Sequence, residues 1–234
     1  TPIQLSAERL RHKLLAKLPE ADARVVDRAT HTIVQQVEAM KTMVNDFSNY
    51  ARTPRMEPAP LRLDKLVAEV MELYRAVSAI KTDLQAGEAL IKGDPLRLRQ
   101  VVHNLVKNAL EAVEERPGGH IRVSTLRLHE KDRPFLELAV EDNGGGFDET
   151  LIGRLFEPYV TTKAKGTGLG LAIVKQIIEE HGGIIWAENA NGGARVAARL
   201  PLWRDGHPSE PAVPTPGNPE PTRAAGAQPD RERA

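Results

Sequence analysis

The chain has no cysteine among its 234 residues. That one absence excludes disulfides, thiol nucleophiles, iron–sulfur clusters and cysteine-ligated zinc. Aromatic residues are scarce, at 4%. Charge of neither sign is in excess, since Lys plus Arg and Asp plus Glu each number 32. Without a cationic field there is nothing to gather nucleic acid or an anionic membrane surface, so a nucleic-acid function is not expected. No run approaches the roughly 18 apolar residues of a membrane span. No charged-then-apolar leader opens the chain. What is present, 41% apolar and 27% charged residues, is the balance of a soluble globular protein. The length suits one large domain or two small ones.

The first stretch is helical by period. Ile3, Ala7, Leu10 and Leu14 step by 4, 3 and 4, and after Pro19 a second run follows. Val26, Thr30, Ile33, Val37, Met40, Val44, Phe47 and Ala51 step by 4, 3, 4, 3, 4, 3 and 4. Such a seam marks a coiled-coil helix, here about 46 Å long from Asp22 to Arg52 at about 1.5 Å per residue. Two helices with one apolar stripe each form an antiparallel hairpin over residues 1–53. The stripes are compatible with an intramolecular pair. The unbroken heptad favours a homodimer, in which two hairpins make a four-helix bundle. The chain enters this pattern at once, which reads as the middle of a longer protein.

Pro54, Pro58 and Pro60 fall within seven residues, so 54–60 reads as a linker. Residues 61–202 then mix helix and strand signals, which predicts a two-layer α/β sandwich and makes the whole chain α+β. Asp64 is a candidate cap for a helix carrying Leu66, Val67, Val70 and Tyr74. Asp94-Pro95 opens a longer helix to about Glu115, ended by Pro117-Gly118-Gly119. His120–Leu128 and Pro134–Val140 read as strands, and Thr167–His181 as a helix stopped by glycine. Gly183–Glu188 and Ala194–Leu200 form a hairpin over Asn191-Gly192. Residues 203–234 carry seven of the 17 prolines and are expected to be disordered.

Three places could hold chemistry. On the helix after Asp94, the residues Arg97, Asn104, Asn108 and Glu111 share a polar face opposite Leu98, Val102, Leu105, Ala109 and Val113. Asn104 and Asn108 stack one turn apart, and asparagine is a poor interior helix former. Their amides suit Mg²⁺ and phosphate, although a solvated face has the same spacing. Asp142-Asn143-Gly144-Gly145-Gly146 ends a strand, where an acid can accept from an amino group or merely cap a turn. Gly166-Thr167-Gly168-Leu169-Gly170-Leu171 opens a helix, and free N–H groups there bind phosphate. It fits neither the P-loop nor the dinucleotide fingerprint. Thr161-Thr162-Lys163-Ala164-Lys165 just before it reads as a lid carrying cations, or as a plain surface loop. The seven histidines show no metal-ligand spacing.

Taken in order, these segments resemble sensor histidine kinases. Asn104–Asn108 is similar to their N box, Asp142–Gly146 to the G1 box, Phe156-Glu157-Pro158-Tyr159 to the F box, and Gly166–Leu171 to the G2 box. The first ten residues, Thr1–Leu10, and the heptad run resemble the nitrogen-regulation (NtrY-like) branch of these two-component kinases. The resemblance covers about 1–202 and implies the Bergerat ATP-binding sandwich of the wider ATPase superfamily. It implies ATP and Mg²⁺ as cofactors, with Asn108 on the metal and Asn104 on the phosphate side. It implies that Asp142 reads the adenine amino group while Gly144 and Gly146 close the pocket. Thr162, Lys163, Lys165, Gly166, Thr167, Gly168, Leu169, Gly170 and Leu171 would surround the phosphates. Hydrolysing relatives carry a Glu where Asn104 stands, so a transferase is favoured over an ATPase.

One departure bears on activity. The family's acceptor histidine is followed by an acid, whereas His12 is followed by Lys13 and His31 by Thr32. The acceptor is therefore expected upstream of Thr1, and the chain is not expected to phosphorylate itself. The resemblance further implies a response-regulator receiver domain as partner and a cytoplasmic kinase core, with any membrane anchor upstream. The alternatives are a Bergerat ATPase acting as a clamp and a non-catalytic dimerisation module.

Overall fold

A computed structural model describes residues 1–51, 56–114, 116–130, 133–163, 166–204 and 207–208. The heptad period is realised as helix α2, Glu20–Ala51, which follows α1, Pro2–Leu14. The two pack as a hairpin around Ala7 and Thr30, both buried. Arg11 Nε donates to Asp27 Oδ1 across the pair at 2.7 Å. A hairpin offers each stripe only one partner, so Leu10, Ile33, Met40 and Val44 stay exposed. No helix among the described residues is long and apolar enough to cross a membrane.

The α/β unit begins earlier than expected. Ala59–Arg62 is strand β1, paired antiparallel with β3, Leu90–Gly93. Its one proline, Pro60, is tolerated because β1 is an edge strand. The expected linker therefore passes into strand at Ala59, while Pro54 and Arg55 lie outside the described residues. Helix α3, Leu63–Met71, has Arg62 at its N-cap position. Asp64 does not cap it. Its carboxylate accepts instead from the Thr125 hydroxyl and from Gly87 N–H at 2.7 Å, tying the helix to the sheet.

The main sheet has the order β2-β4-β5-β7-β6. Strand β2, Ile80–Gln85, lies parallel to β4, Ile121–Glu130, and every other neighbour is antiparallel. Strand β5, Arg133–Asp142, runs through the centre, and β6, Ile184–Ala190, and β7, Gly193–Pro201, form the predicted hairpin. Helices α4, Pro95–Val113, and α5, Gly170–Glu180, complete the second layer with α3. The core between the layers holds Leu63, Leu98, Leu105, Ile121, Leu136, Leu138, Ile177, Ile178 and Leu200.

The other face of the sheet is covered by charge. Glu137 is buried there, and it accepts from Arg195 Nη2 at 2.5 Å and Arg199 Nε at 3.0 Å. Arg199 also sits 4.9 Å from the Trp186 ring centroid. Burying a carboxylate is tolerable only with such partners. The tail expected from 203 onward falls mostly outside the described residues. At its head, Trp203–Arg204 pairs antiparallel with His207–Pro208, and Lys92 Nζ lies 4.8 Å from the Trp203 ring centroid.

Candidate functional site

Helices α4 and α5 are held side by side by a buried histidine. His181 Nε2 accepts from Asp94 N–H at 2.9 Å, while Nδ1–H donates to the Ile177 carbonyl at 2.6 Å. The two bonds fix one neutral tautomer, and burial pushes its pKa below the ordinary value. Asp94 in turn caps α4, accepting from Leu96 N–H at 3.0 Å and Arg97 N–H at 3.2 Å. Gly93 is required at this junction, since a Cβ there would lie 2.6 Å from Leu98 Cδ1 and 2.9 Å from His181 Cδ2. Arg97 pairs with Glu180 of α5, so it braces the helices rather than facing a ligand.

That bracing points the remaining polar face of α4 at the start of α5. Asn104 Nδ2 reaches the Gly170 carbonyl in a long 3.5 Å hydrogen bond. Asn108 Nδ2 lies 4.0 Å from where a Cβ on Gly170 would stand. Both asparagines are half-buried. The glycine turn is shaped by close approach. Gly168 has φ +67°, and a Cβ on it would meet Tyr159 C at 2.5 Å and Val160 N at 2.8 Å. Tyr159, itself at φ +67°, donates its N–H to the Gly168 carbonyl at 3.0 Å. The F-box segment is thereby locked to the turn that opens α5.

Asp142 ends β5 beneath the same face. It accepts from Gly144 N–H at 2.8 Å and Ala194 N–H at 3.5 Å. Burial nevertheless raises its carboxyl above the usual range, against those bonds and the nearby cations Lys163 and Arg116. Gly144 lets the loop rest on α4, because a Cβ would lie 2.5 Å from the Ala112 carbonyl oxygen. Gly146 has φ +83° and passes close to Asn189.

Asn189 on β6 holds that loop twice. It accepts from Phe147 N–H at 2.6 Å and donates to the Phe147 carbonyl at 2.9 Å. Gly193 clears the end of β5, since a Cβ there would fall 1.8 Å from the Asp142 carbonyl oxygen. Neither residue stood out in the sequence, where the hairpin turn was read at Asn191-Gly192. Lys163, from the loop before α5, pairs with Glu111 on α4. Thr162 is exposed, and Lys165 lies outside the described residues.

Two clefts flank this ground. One, of about 470 Å³, is lined by Lys81, His120, Arg122, Asp142 and Asn143. The other, of about 540 Å³, has Lys107, Leu110, Glu111 and Arg116 on its wall. Among the described residues no group of three His, Asp or Glu is placed to hold a metal. A hard cation that keeps waters and takes phosphate oxygens needs less than that. The Asn108 amide, a neutral donor beside the start of α5, is of the kind such an ion takes.

Residues 93–204 match the family of histidine kinase-, DNA gyrase B- and HSP90-like ATPases. The chain is 38% identical over 218 residues to nitrogen regulation protein NtrY of Azorhizobium caulinodans, covering 90% of this chain and 28% of that protein. It is 33% identical over 196 residues to the sensory histidine kinase/phosphatase NtrB of Rhizobium leguminosarum bv. phaseoli, covering 76% of this chain and 51% of that one. The catalytic domain of histidine kinase ThkA superposes with a TM-score of 0.55 at 32% identity, over 62% of this chain and 96% of that chain. ThkA in complex with the response regulator protein TrrA gives a TM-score of 0.61 at 25% identity, over 86% and 67% of the two chains. The chain thus spans between about a quarter and a half of the length of these curated relatives.

Proposed function

We propose that this chain, which belongs to the histidine kinase-, DNA gyrase B- and HSP90-like ATPase family, is the ATP-binding core of an NtrY/NtrB-like sensor histidine kinase that passes the γ-phosphoryl group to a histidine. The observation that carries the proposal is convergence. Segments far apart in sequence come together along one side of α4: Asn104 and Asn108 approach Gly170, Gly168 rests on Tyr159, and Gly144 rests on Ala112, one turn beyond Asn108.

Each residue then has a part. The N–H groups of the turn ending at Leu171 cradle phosphate. Asn108 holds Mg²⁺, which neutralises charge on the phosphates. Asn104 orients the phosphate side and, as an amide, cannot activate water, which favours transfer over hydrolysis. Lys163, with Lys165 as a second cation, meets the γ-phosphate. Asp142 accepts from the adenine amino group, and the glycines at 144 and 146 let the base come close.

Asp142 supplies a prediction in which stability and binding move oppositely. Its folded pKa is raised, so its contribution to stability is present below the unfolded value of about 3.9 and is lost as pH rises through the folded one. At neutral pH the ionised side chain is a net burden that ligand recognition justifies. Asp142→Asn keeps an acceptor for Gly144 N–H and is expected to raise the melting temperature at pH 7. It is expected to weaken ATP binding about ten-fold or more, the worth of one charge-assisted hydrogen bond. A lower melting temperature with unchanged affinity would contradict the assignment.

The exposed α2 seam supports a homodimer. Met40 and Val44 are 65% and 64% exposed in the single chain. Val44→Glu would place an unpaired charge in the seam. Light scattering should then show monomer where the native chain shows dimer, and a monomeric native chain would overturn the idea. The family's relay continues to a receiver-domain aspartate, and we assign this chain the same partner, in the cytoplasm, within a protein anchored in the inner membrane. The kinase proposal is tested by offering γ-labelled ATP together with a histidine-bearing dimerisation helix.

A further inference from the structure

We propose that Glu111 is a positioning residue for the lid cation: it holds Lys163 across the mouth of the nucleotide site and surrenders it to a terminal phosphate. This rests on the nucleotide reading of the site. Glu111 lies one turn beyond Asn108 on the face of α4 that also carries Asn104. Its carboxylate accepts from Lys163 Nζ, and the two residues are 52 positions apart in sequence. Lys107 reaches the same carboxylate from the outer side at 4.0 Å. Glu111 therefore stands on the boundary between the phosphate face and the cleft lined by Lys107, Leu110 and Arg116.

An anionic side chain beside a polyphosphate site needs a reason, because like charges repel at this range. The pair with Lys163 gives one. The lysine side chain is 42% exposed and that of Glu111 37%, so the bond is screened and weak enough to exchange. A triphosphate seated on the α5 turn offers Lys163 a denser anion. A diphosphate ends short of the lysine and leaves it with Glu111. The lid then registers the γ-phosphate rather than the nucleotide in general, and Glu111 sets the threshold.

The test is a double-mutant cycle by calorimetry on the full chain, using Mg²⁺ with a non-hydrolysable ATP analogue and with ADP. Glu111→Gln frees Lys163 before binding and should tighten the triphosphate about two- to five-fold, the worth of an exposed pair. ADP should change by less than that. In a Lys163→Met background, Glu111→Gln should tighten nothing. Equal tightening of both nucleotides, or the same gain without Lys163, would show plain repulsion and overturn the proposal. Weaker triphosphate binding in Glu111→Gln would overturn it as well, by making Glu111 a direct ligand. A native chain that binds neither nucleotide would remove the nucleotide reading itself, and this inference with it. Unchanged melting temperatures across the four proteins separate the effect from a structural one.

Discussion

Asn108→Ala is expected to lower Mg²⁺-dependent ATP affinity by about 100-fold while leaving the domain folded. Its amide is half-buried at the α4–α5 junction, 4.0 Å from the position of a Cβ on Gly170. No carboxylate or histidine cluster is available among the described residues to take over a metal. Removing one neutral oxygen from so sparse a donor set is costly for the ion. It also leaves the phosphates less neutralised, and such losses run to about 10- to 100-fold even for groups that only support a ligand. The helix gains from the change, since alanine is the better interior former by some tenths of a kcal/mol. Calorimetry with and without Mg²⁺ separates the outcomes. Loss confined to the Mg²⁺ titration supports the assignment, whereas equal loss in both, or a lowered melting temperature, contradicts it.

Gly168→Ala should be the more damaging of two glycine changes in the same turn. Gly168 is in the left-handed region at φ +67°, where a Cβ costs roughly 1–2 kcal/mol. The Cβ would also stand 2.5 Å and 2.7 Å from the Tyr159 C and Cα atoms. Those are backbone atoms of a segment tied to the turn by Tyr159 N–H, so they cannot rotate away. The turn must shift, and with it the N–H groups proposed to cradle phosphate. Nucleotide binding and any transfer should both fall by about two orders of magnitude, as a misplacement of about 1 Å at a reacting site does. Gly170 is the internal control. Its φ is ordinary, and the nearest atom to a Cβ is 4.0 Å away. Gly170→Ala should keep the fold and lose affinity only so far as the methyl meets the ligand. Equal tolerance of both changes in a binding assay would show that the turn does not cradle phosphate.

The same physics explains what the sequence disclosed. Helix α4 was legible because Asp94-Pro95 is a cap with a pre-set first residue, and α5 because glycines bracket a 3.6-residue period. Strands β4 and β5 lay where alternation placed them, with both ends of β5 and the far end of β4 running a residue or two beyond the reading. Strands β2 and β3 were silent. Ile80–Gln85 has no clean alternation, and its partner β4 lies about 40 residues on, in parallel. Asp64 looked like a local cap because local signals are all a sequence offers. Its partners, Gly87 and Thr125, are 23 and 61 residues away.

The site divides in the same way. Its glycines and asparagines were visible because they are unusual where they stand. Glu111 was visible only as one member of a polar helix face, and Asn189 not at all, because an acid on a helix and an amide on a strand are ordinary until their partners arrive. Those partners, Lys163 and Phe147, come from 52 and 42 positions away. Gly193 follows the Asn191-Gly192 turn without a signal of its own, and its need for an empty Cβ position arises only when β5 ends against it.

The central claim is tested most directly by phosphoryl transfer to a supplied histidine. The chain is incubated with γ-labelled ATP and Mg²⁺, alone and with a dimerisation helix bearing a histidine followed by an acid. No label is expected on the chain alone, because His12 precedes Lys13 and His31 precedes Thr32. Acid-labile label is expected on the supplied helix, cut by about two orders of magnitude in Gly168→Ala. Acid-labile label on His12 or His31, or free phosphate released while the supplied helix stays unlabelled, would contradict the claim.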